Sequence, residues 1–284
     1  MSVKDIHPTA VIGKNVIIEC DNFTLGRNSI IKDNCIIKCT SFTAGEGLFM
    51  AEGVEVGRGG CFGPNSNVYI GNNVGIFERT IINPSEEVHI GDNVGIGGEV
   101  MIWTHGAWLD VMQGFPADFG PVHIEANVWL PARSIVLPNV RIGENTVIGI
   151  GSIINRNLPK GCFAAGSPCK VLKENCYPKN LNKNEKKIIV NNILEDWKKL
   201  LKHKEEPDIS VNYNEEDNSI ILTKFNYEPT PIKYPLEVVH SKKTIFNLKN
   251  KTVEGSINDV SEDLRDYLRR RGIKIFTNNQ FKSI

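Results

Sequence analysis

Read in units of six, the chain repeats one pattern of hydrophobic and polar positions. Its N-terminal part runs IHPTAV, IGKNVI, IECDNF and, after one extra residue, LGRNSI, IKDNCI, IKCTSF. Farther on come IGNNVG, IFERTI, IGDNVG, IGGEVM and IWTHGA, then IEANVW, LPARSI, VLPNVR, IGENTV, IGIGSI and INRNLP. An aliphatic residue opens nearly every unit, Gly often follows it, and a small or β-branched residue tends to fill the fifth place. A helical stripe would recur every three to four residues and a half-buried strand every two, so neither explains this repeat. One short strand plus one turn does explain it. Three such units would close a coil of about eighteen residues, with Ile, Leu and Val stacked inside and Gly and Asn at corners that need positive φ. The expected fold class is mainly β, a parallel β-helix solenoid.

The pattern stops after His105, the fourth residue of IWTHGA, and resumes near Pro121. The loop between, residues 106–121, carries Trp108, Phe115 and Phe119 beside Asp110, Gln113 and Asp118. A solenoid coil gains nothing from such an insertion, and long loops leaving a rigid scaffold usually carry function. Imidazole has an unperturbed pKa near 6.5, which suits removal of a proton from a hydroxyl or amine near neutral pH. Nothing in the sequence chooses among Asp92, Glu99 and Asp110 as the group that orients His105. A second irregular stretch, TAGEGLFMAEGVEVGRGG from Thr43 to Gly60, reads equally as a loop on the acceptor side or as a poorly matched coil.

Composition narrows the picture. Lys plus Arg balances Asp plus Glu at 33 each, so no global field draws the chain toward nucleic acid or anionic membrane. No apolar run approaches a membrane span and the start has no apolar leader segment, so a cytoplasmic protein is expected. Seven cysteines without a CxxC pair argue against a disulfide framework or zinc knuckle, and read as small apolar residues of a reduced interior.

The repeat, and above all NVWLPARSIVLPNVRIGENTVIGIGSIINRNLPKGCFAAGSPCKVLKE from Asn127 to Glu174, resembles the hexapeptide-repeat acyltransferases, in their sugar O-acetyltransferase-like branch. The resemblance covers about residues 6–173. It implies a left-handed β-helix, a hand that ordinary crossover physics would not choose. It further implies acetyl-CoA as acyl donor, a sugar or nucleotide-sugar acceptor, and a homotrimer in which donor and acceptor meet between neighbouring β-helices. His105 then takes the role of general base. Trp129 and Ala132 fall at positions lining the pantetheine tunnel, Asn155 and Arg156 stand on the cofactor side where the family usually has Thr-Lys, and Lys170 and Lys173 where it places basic residues near the nucleotide phosphates. Two departures stand out. Pro131 occupies a place where the family commonly has Gly, and the Asn found about one and a half coils before the histidine has no clear counterpart, Glu78 being nearest and Asn83 slightly beyond. With Trp108, these are the candidate acceptor contacts.

The activity expected is transfer of an acetyl group to a sugar hydroxyl, in cell-surface polysaccharide synthesis, with N-acetylation of a nucleotide-linked amino sugar as the alternative. A second class is a metal protein like the gamma-class carbonic anhydrases, which would need His89, His105 and His123 to converge. A third is a scaffold without activity.

After about Lys173 the sixes end. The β-helix domain is expected over 1–179 and a small α+β domain over 180–284, serving acceptor selection or oligomer contacts. In the latter, NEKKIIVNNILEDWKKLLKHKEE reads as an amphipathic helix with Ile188, Ile189, Ile193, Trp197, Leu200 and Leu201 inward. Two strand pairs follow. Next comes a helix capped by Ser261, ending at Gly272 and leading into a short strand. The run Arg269, Arg270, Arg271 reads as the basic end of that helix, complementing its dipole, in preference to a phosphate or glycan contact.

Overall fold

The structure, a computed structural model, describes residues 3–59, 62–204, 209–227 and 238–277. The chain divides into two compact units, Met1–Lys179 and Asn180–Ile284.

The first unit is a stack of coils, each passing through three short strands before returning to its starting face. Val88–Ile90, Gly95–Ile96 and Met101–Trp103 form one coil. The next coil lies parallel beside it strand for strand, as Val122–Ile124, Trp129–Leu130 and Ile135–Val136. Arg141–Ile142, Val147–Ile148 and Ile153–Ile154 add another layer. These define a first, second and third face in chain order. The residues that open the sixes become columns in the interior: Ile37, Val56, Ile82, Ile102, Val136 and Ile154 are paired neighbours down the third face, all fully buried. Each such side chain contributes roughly 1.5–3 kcal/mol of transfer free energy.

The fourth place of the six makes the corner. Asn73, Asn93, Asn127 and Asn145 all adopt left-handed backbone with φ of 57–60°, which Asn tolerates because its short polar side chain can bond locally. Stacked corners then join through their side chains, as when Asn93 Nδ2 donates to Asn127 Oδ1 at 2.8 Å. Where other residues hold the corner, Arg79, Glu99 and Arg133, also at positive φ, form a charged column. Glu99 pairs with Arg79 at 2.6 Å and with Arg133 at 2.7 Å, and the guanidinium hydrogen bonds, Arg133 first, hold its carboxyl below the usual range.

The irregular stretch from Thr43 is mostly ordinary coil, with strands Phe49–Met50 and Glu55–Val56 and corners at Gly47 and Gly53. The excursion begins only at about Gly57 and lies before Asn67–Ile70, on the edge between the third and first faces. Of the cysteines, 20, 35, 39, 162 and 169 are buried free thiols and Cys176 is half-buried; Cys61 lies outside the described residues.

The second unit packs helices α1 (Lys183–His203) and α2 (Asp259–Arg269) with an antiparallel sheet of Ile209–Asn214, Ser219–Tyr227, Val238–Asn247 and Thr252–Gly255. The inward face of α1 is set by Val190, Ile193, Leu194, Trp197 and Leu201. Ile188 and Ile189 are exposed instead, because a stripe through Trp197 at helical spacing selects 190, 193 and 194. Trp197 Nε1 donates to Asp263, which also binds Lys204. Helix α2 is capped by Asn258, with Ser261 as the third-residue partner of a capping box; residues 273–277 form no strand. Arg269 and Arg270 both pair with Asp266, and Arg271 lies over the Tyr267 ring at 3.7 Å, so all three arginines are engaged within their own helix end.

Candidate active site

His105 stands at the fourth place of its six, yet it takes no left-handed conformation. Instead it starts a two-residue antiparallel ribbon, His105–Gly106 against Asp118–Phe119, that carries the chain off the corner between the third and first faces. Between the ribbon strands a single 3₁₀ turn, Val111–Gln113, is capped by the Asp110 carboxylate and closed by Gly114 at φ 84°. The excursion rejoins the coil through Gly120 N donating to Thr104 O at 2.9 Å and Asn139 Nδ2 donating to Phe119 O at 3.2 Å.

The half-buried imidazole is held on three sides. Its ring stacks on Phe119, centroids 5.6 Å apart, and meets Trp103 edge-on at 6.4 Å. Its Nδ1 lies 2.8 Å from Asn83 Oδ1 and 3.0 Å from Ser85 Oγ. Asn83 is fully buried and Ser85 nearly so. Thr104, the residue before, donates to the Asn83 main-chain carbonyl at 2.7 Å and accepts from Glu86 N at 2.9 Å. Among the described residues the three carboxylates weighed from sequence are engaged elsewhere: Asp92 accepts from Asn72 N, Glu99 binds Arg79 and Arg133, and Asp110 caps the 3₁₀ turn.

The other candidate residues spread over two edges. Asn83 belongs to the His105 cluster. Glu78 is exposed at the preceding corner, where its carbonyl accepts from Glu99 N, so it stands apart from the imidazole. Trp108 is 96% exposed on the excursion, with Met112 89% exposed nearby. Asn155 and Arg156 are exposed just past Ile153–Ile154, which places them on the His105 edge, farther along the stack. Trp129 projects from the second face, its ring lying over Gly95 so closely that a β-carbon there would come within 2.6 Å of it. Ala132 follows at the corner between second and third faces, where its carbonyl accepts from Gly151 N at 3.1 Å. Pro131 is buried beside it. Lys170 and Lys173 are exposed on a strand, Lys170–Lys173, that closes the second-face sheet antiparallel to Phe163–Ala165. Trp129, Ala132 and Lys170 thus gather near one edge, and His105 with Arg156 on another.

Residues 121–156 match the bacterial transferase hexapeptide (six repeats) family model. Over those residues the chain is similar to that repeat family. A provisionally named acetyltransferase of Saccharomyces cerevisiae is 38% identical over 112 residues, 38% of this chain and 57% of that protein. The galactoside O-acetyltransferase of Lactococcus lactis is 53% identical over 53 residues, 19% of this chain and 26% of its own length. A hexapeptide-repeat-containing acetyltransferase from Vibrio cholerae, solved with acetyl coenzyme A, is 21% identical over 46% of this chain and 69% of that one, with a TM-score of 0.40. This chain therefore spans little more than half of the yeast relative and about a quarter of the lactococcal one.

His89 and His123 stack on each other at 4.7 Å on the first face, between Tyr69 and Arg141, beside a shallow groove of about 460 Å³. Burial first, then the neighbouring His89 and Arg141 charges, push the His123 imidazole below its ordinary pKa. His105 is tied to Asn83 and Ser85 at the corner, so the three histidines do not converge as a three-histidine metal site would require.

Proposed function

We propose that the chain transfers an acetyl group from acetyl-CoA to a sugar hydroxyl, on a left-handed β-helix, with His105 as general base. His105 Nε2 takes the hydroxyl proton as the oxygen attacks the thioester carbonyl. The tetrahedral oxyanion collapses, the C–S bond breaks, and the coenzyme thiolate leaves with a proton returned from the imidazolium. The observation that carries this reading is the placement of His105 where the repeat breaks, Nδ1 engaged and ring stacked on Phe119, at the mouth of the excursion. The N-acylation of an amino sugar uses the same steps on an amine. Polysaccharide synthesis and a cytoplasmic site of action belong to the same proposal. No helix among the described residues is long and apolar enough to cross a membrane.

Within one chain the pantetheine candidates Trp129 and Ala132 and the base lie on different edges. A second copy would bring one chain's base edge to another's donor edge, so the proposal includes a cyclic homotrimer, with exposed Trp108 and Met112 at the junction. The 180–284 unit is assigned to acceptor selection or to those contacts. The test is release of free coenzyme A thiol from acetyl-CoA with mono- and oligosaccharide acceptors. His105→Ala should lower turnover by at least about 100-fold while calorimetric acetyl-CoA affinity stays unchanged. Turnover retained in the variant refutes the base; no acetyl-CoA binding by wild type refutes the donor and returns the scaffold reading.

A further inference from the structure

We infer that Asn83 is a positioning residue that locks neutral His105 in the tautomer with hydrogen on Nδ1, leaving Nε2 as a bare base, and that it does so without placing a negative charge beside the ring. The inference rests on the reading of His105 as the base.

The two ends of an amide have the same shape, so hydrogen bonding must decide which faces the imidazole. At Asn83 the decision is made from the far side. The main-chain carbonyl of Arg58, one coil earlier, lies 2.8 Å from Asn83 Nδ2. A carbonyl only accepts, so the nitrogen must face Arg58 and the oxygen must face His105. The reversed amide would set two oxygens against each other in a fully buried position, a costly arrangement. With Oδ1 2.8 Å from Nδ1, a ring nitrogen with a lone pair there would repel it, so Nδ1 carries the hydrogen. Ser85 fits the same assignment. Its hydroxyl donates to Asn83 Oδ1 at 3.3 Å, leaving its oxygen to accept from the nearby Nδ1. The amide is itself fixed by Thr104, which donates to the Asn83 main-chain carbonyl at 2.7 Å and more weakly to Oδ1 at 3.4 Å.

The chemical consequence differs from that of a histidine held by a carboxylate. An ionised carboxylate orients the ring and also favours the imidazolium, raising its pKa. A neutral amide orients the ring without that bias.

The test is nitrogen-15 NMR of the imidazole nitrogens, which reads the tautomer directly and needs no acceptor. Wild type, His105→Gln (to assign the signal), Asn83→Asp and Asn83→Leu are compared across pH 5–9. In the neutral wild-type ring, His105 should show protonated Nδ1 and bare Nε2. Asn83→Leu should shift it toward a mixture of tautomers, and Asn83→Asp, which keeps an acceptor oxygen at that place, should preserve the protonated Nδ1. A wild-type signal with bare Nδ1, or a tautomer unmoved in Asn83→Leu, overturns the proposal. The wild-type spectrum decides even if a variant does not fold. Because this readout is independent of turnover, its failure is distinguishable from the failure of His105→Ala to abolish acetyl transfer.

Discussion

The corner asparagines make a quantitative claim that Asn127 can test. It sits at φ 57°, exposed, with its Oδ1 accepting from Asn93 and its own N–H donating to Asp92 O. Replacement by Ala keeps the main-chain bond but removes the short polar side chain whose local bonding eases the left-handed region, restoring a cost of about 1–2 kcal/mol. It also deletes an exposed side-chain hydrogen bond worth about 0.5 kcal/mol. Replacement by Gly loses the same bond without the steric cost, and adds about 0.5–1 kcal/mol through the freer unfolded chain. The expected losses are therefore about 2 kcal/mol for Asn127→Ala and about 1 kcal/mol for Asn127→Gly. Asn155→Ala, exposed and outside the left-handed region, should stay within about 0.5 kcal/mol of wild type. Urea denaturation followed by far-ultraviolet circular dichroism reads the order, provided the transition slope is unchanged. With two compact units, only the transition of the coiled unit is compared. If Gly proves as costly as Ala, backbone conformation does not explain the asparagines, and the side-chain column must carry the corner alone.

Two further outcomes follow from charges on the same unit. The lowered pKa of His123 means the unfolded chain binds the proton more readily than the folded one. Its stability contribution is therefore complete above about pH 6.5 and lost as pH falls from there through the folded value. Urea midpoints at pH 7, 6 and 5 should fall less steeply in His123→Gln than in wild type; equal slopes would exclude this imidazole as a source of acid sensitivity. For the donor, Lys170→Glu with Lys173→Glu should weaken calorimetric acetyl-CoA binding by about tenfold or more at low salt, with a smaller gap at high salt. Unchanged affinity would make both lysines ordinary solvated charges.

The coil was legible because its rule is local and repeated. A hydrophobic opening, a left-handed fourth place and a small buried fifth recur often enough that substitutions such as Arg79 or Glu99 do not hide the period, and Arg79, Glu99 and Arg133 keep the same backbone conformation as the asparagines they replace. The excursion at Gly57 was harder to place because the glycines of AGEGLF and MAEGVE are themselves corners, Gly47 and Gly53, and their density resembles a loop. In the second unit the strand pairs could be read from alternation. The phase of α1 could not, since Ile188 and Ile189 are as apolar as the residues that pack and only contact with the sheet distinguishes them.

The partner of His105 required a different arithmetic from the one that sequence proximity suggests. Neighbours in a solenoid lie one coil away, so the residues to examine around His105 are about twenty positions back, with allowance for excursions. Ser85 is 20 positions away and Asn83 is 22, whereas Arg58 is 25 before Asn83 because an excursion intervenes. Asp110 is nearer in sequence, but the ribbon carries it off the coil to cap its own turn. Asp92 and Glu99 lie within the same coil as His105 on other corners, where the stacking rule gives them different neighbours. Subtracting one coil leads to Asn83 and Ser85, a pair without a formal charge. A search restricted to carboxylates misses them, which is why the neutral partner emerges only once the coils are stacked.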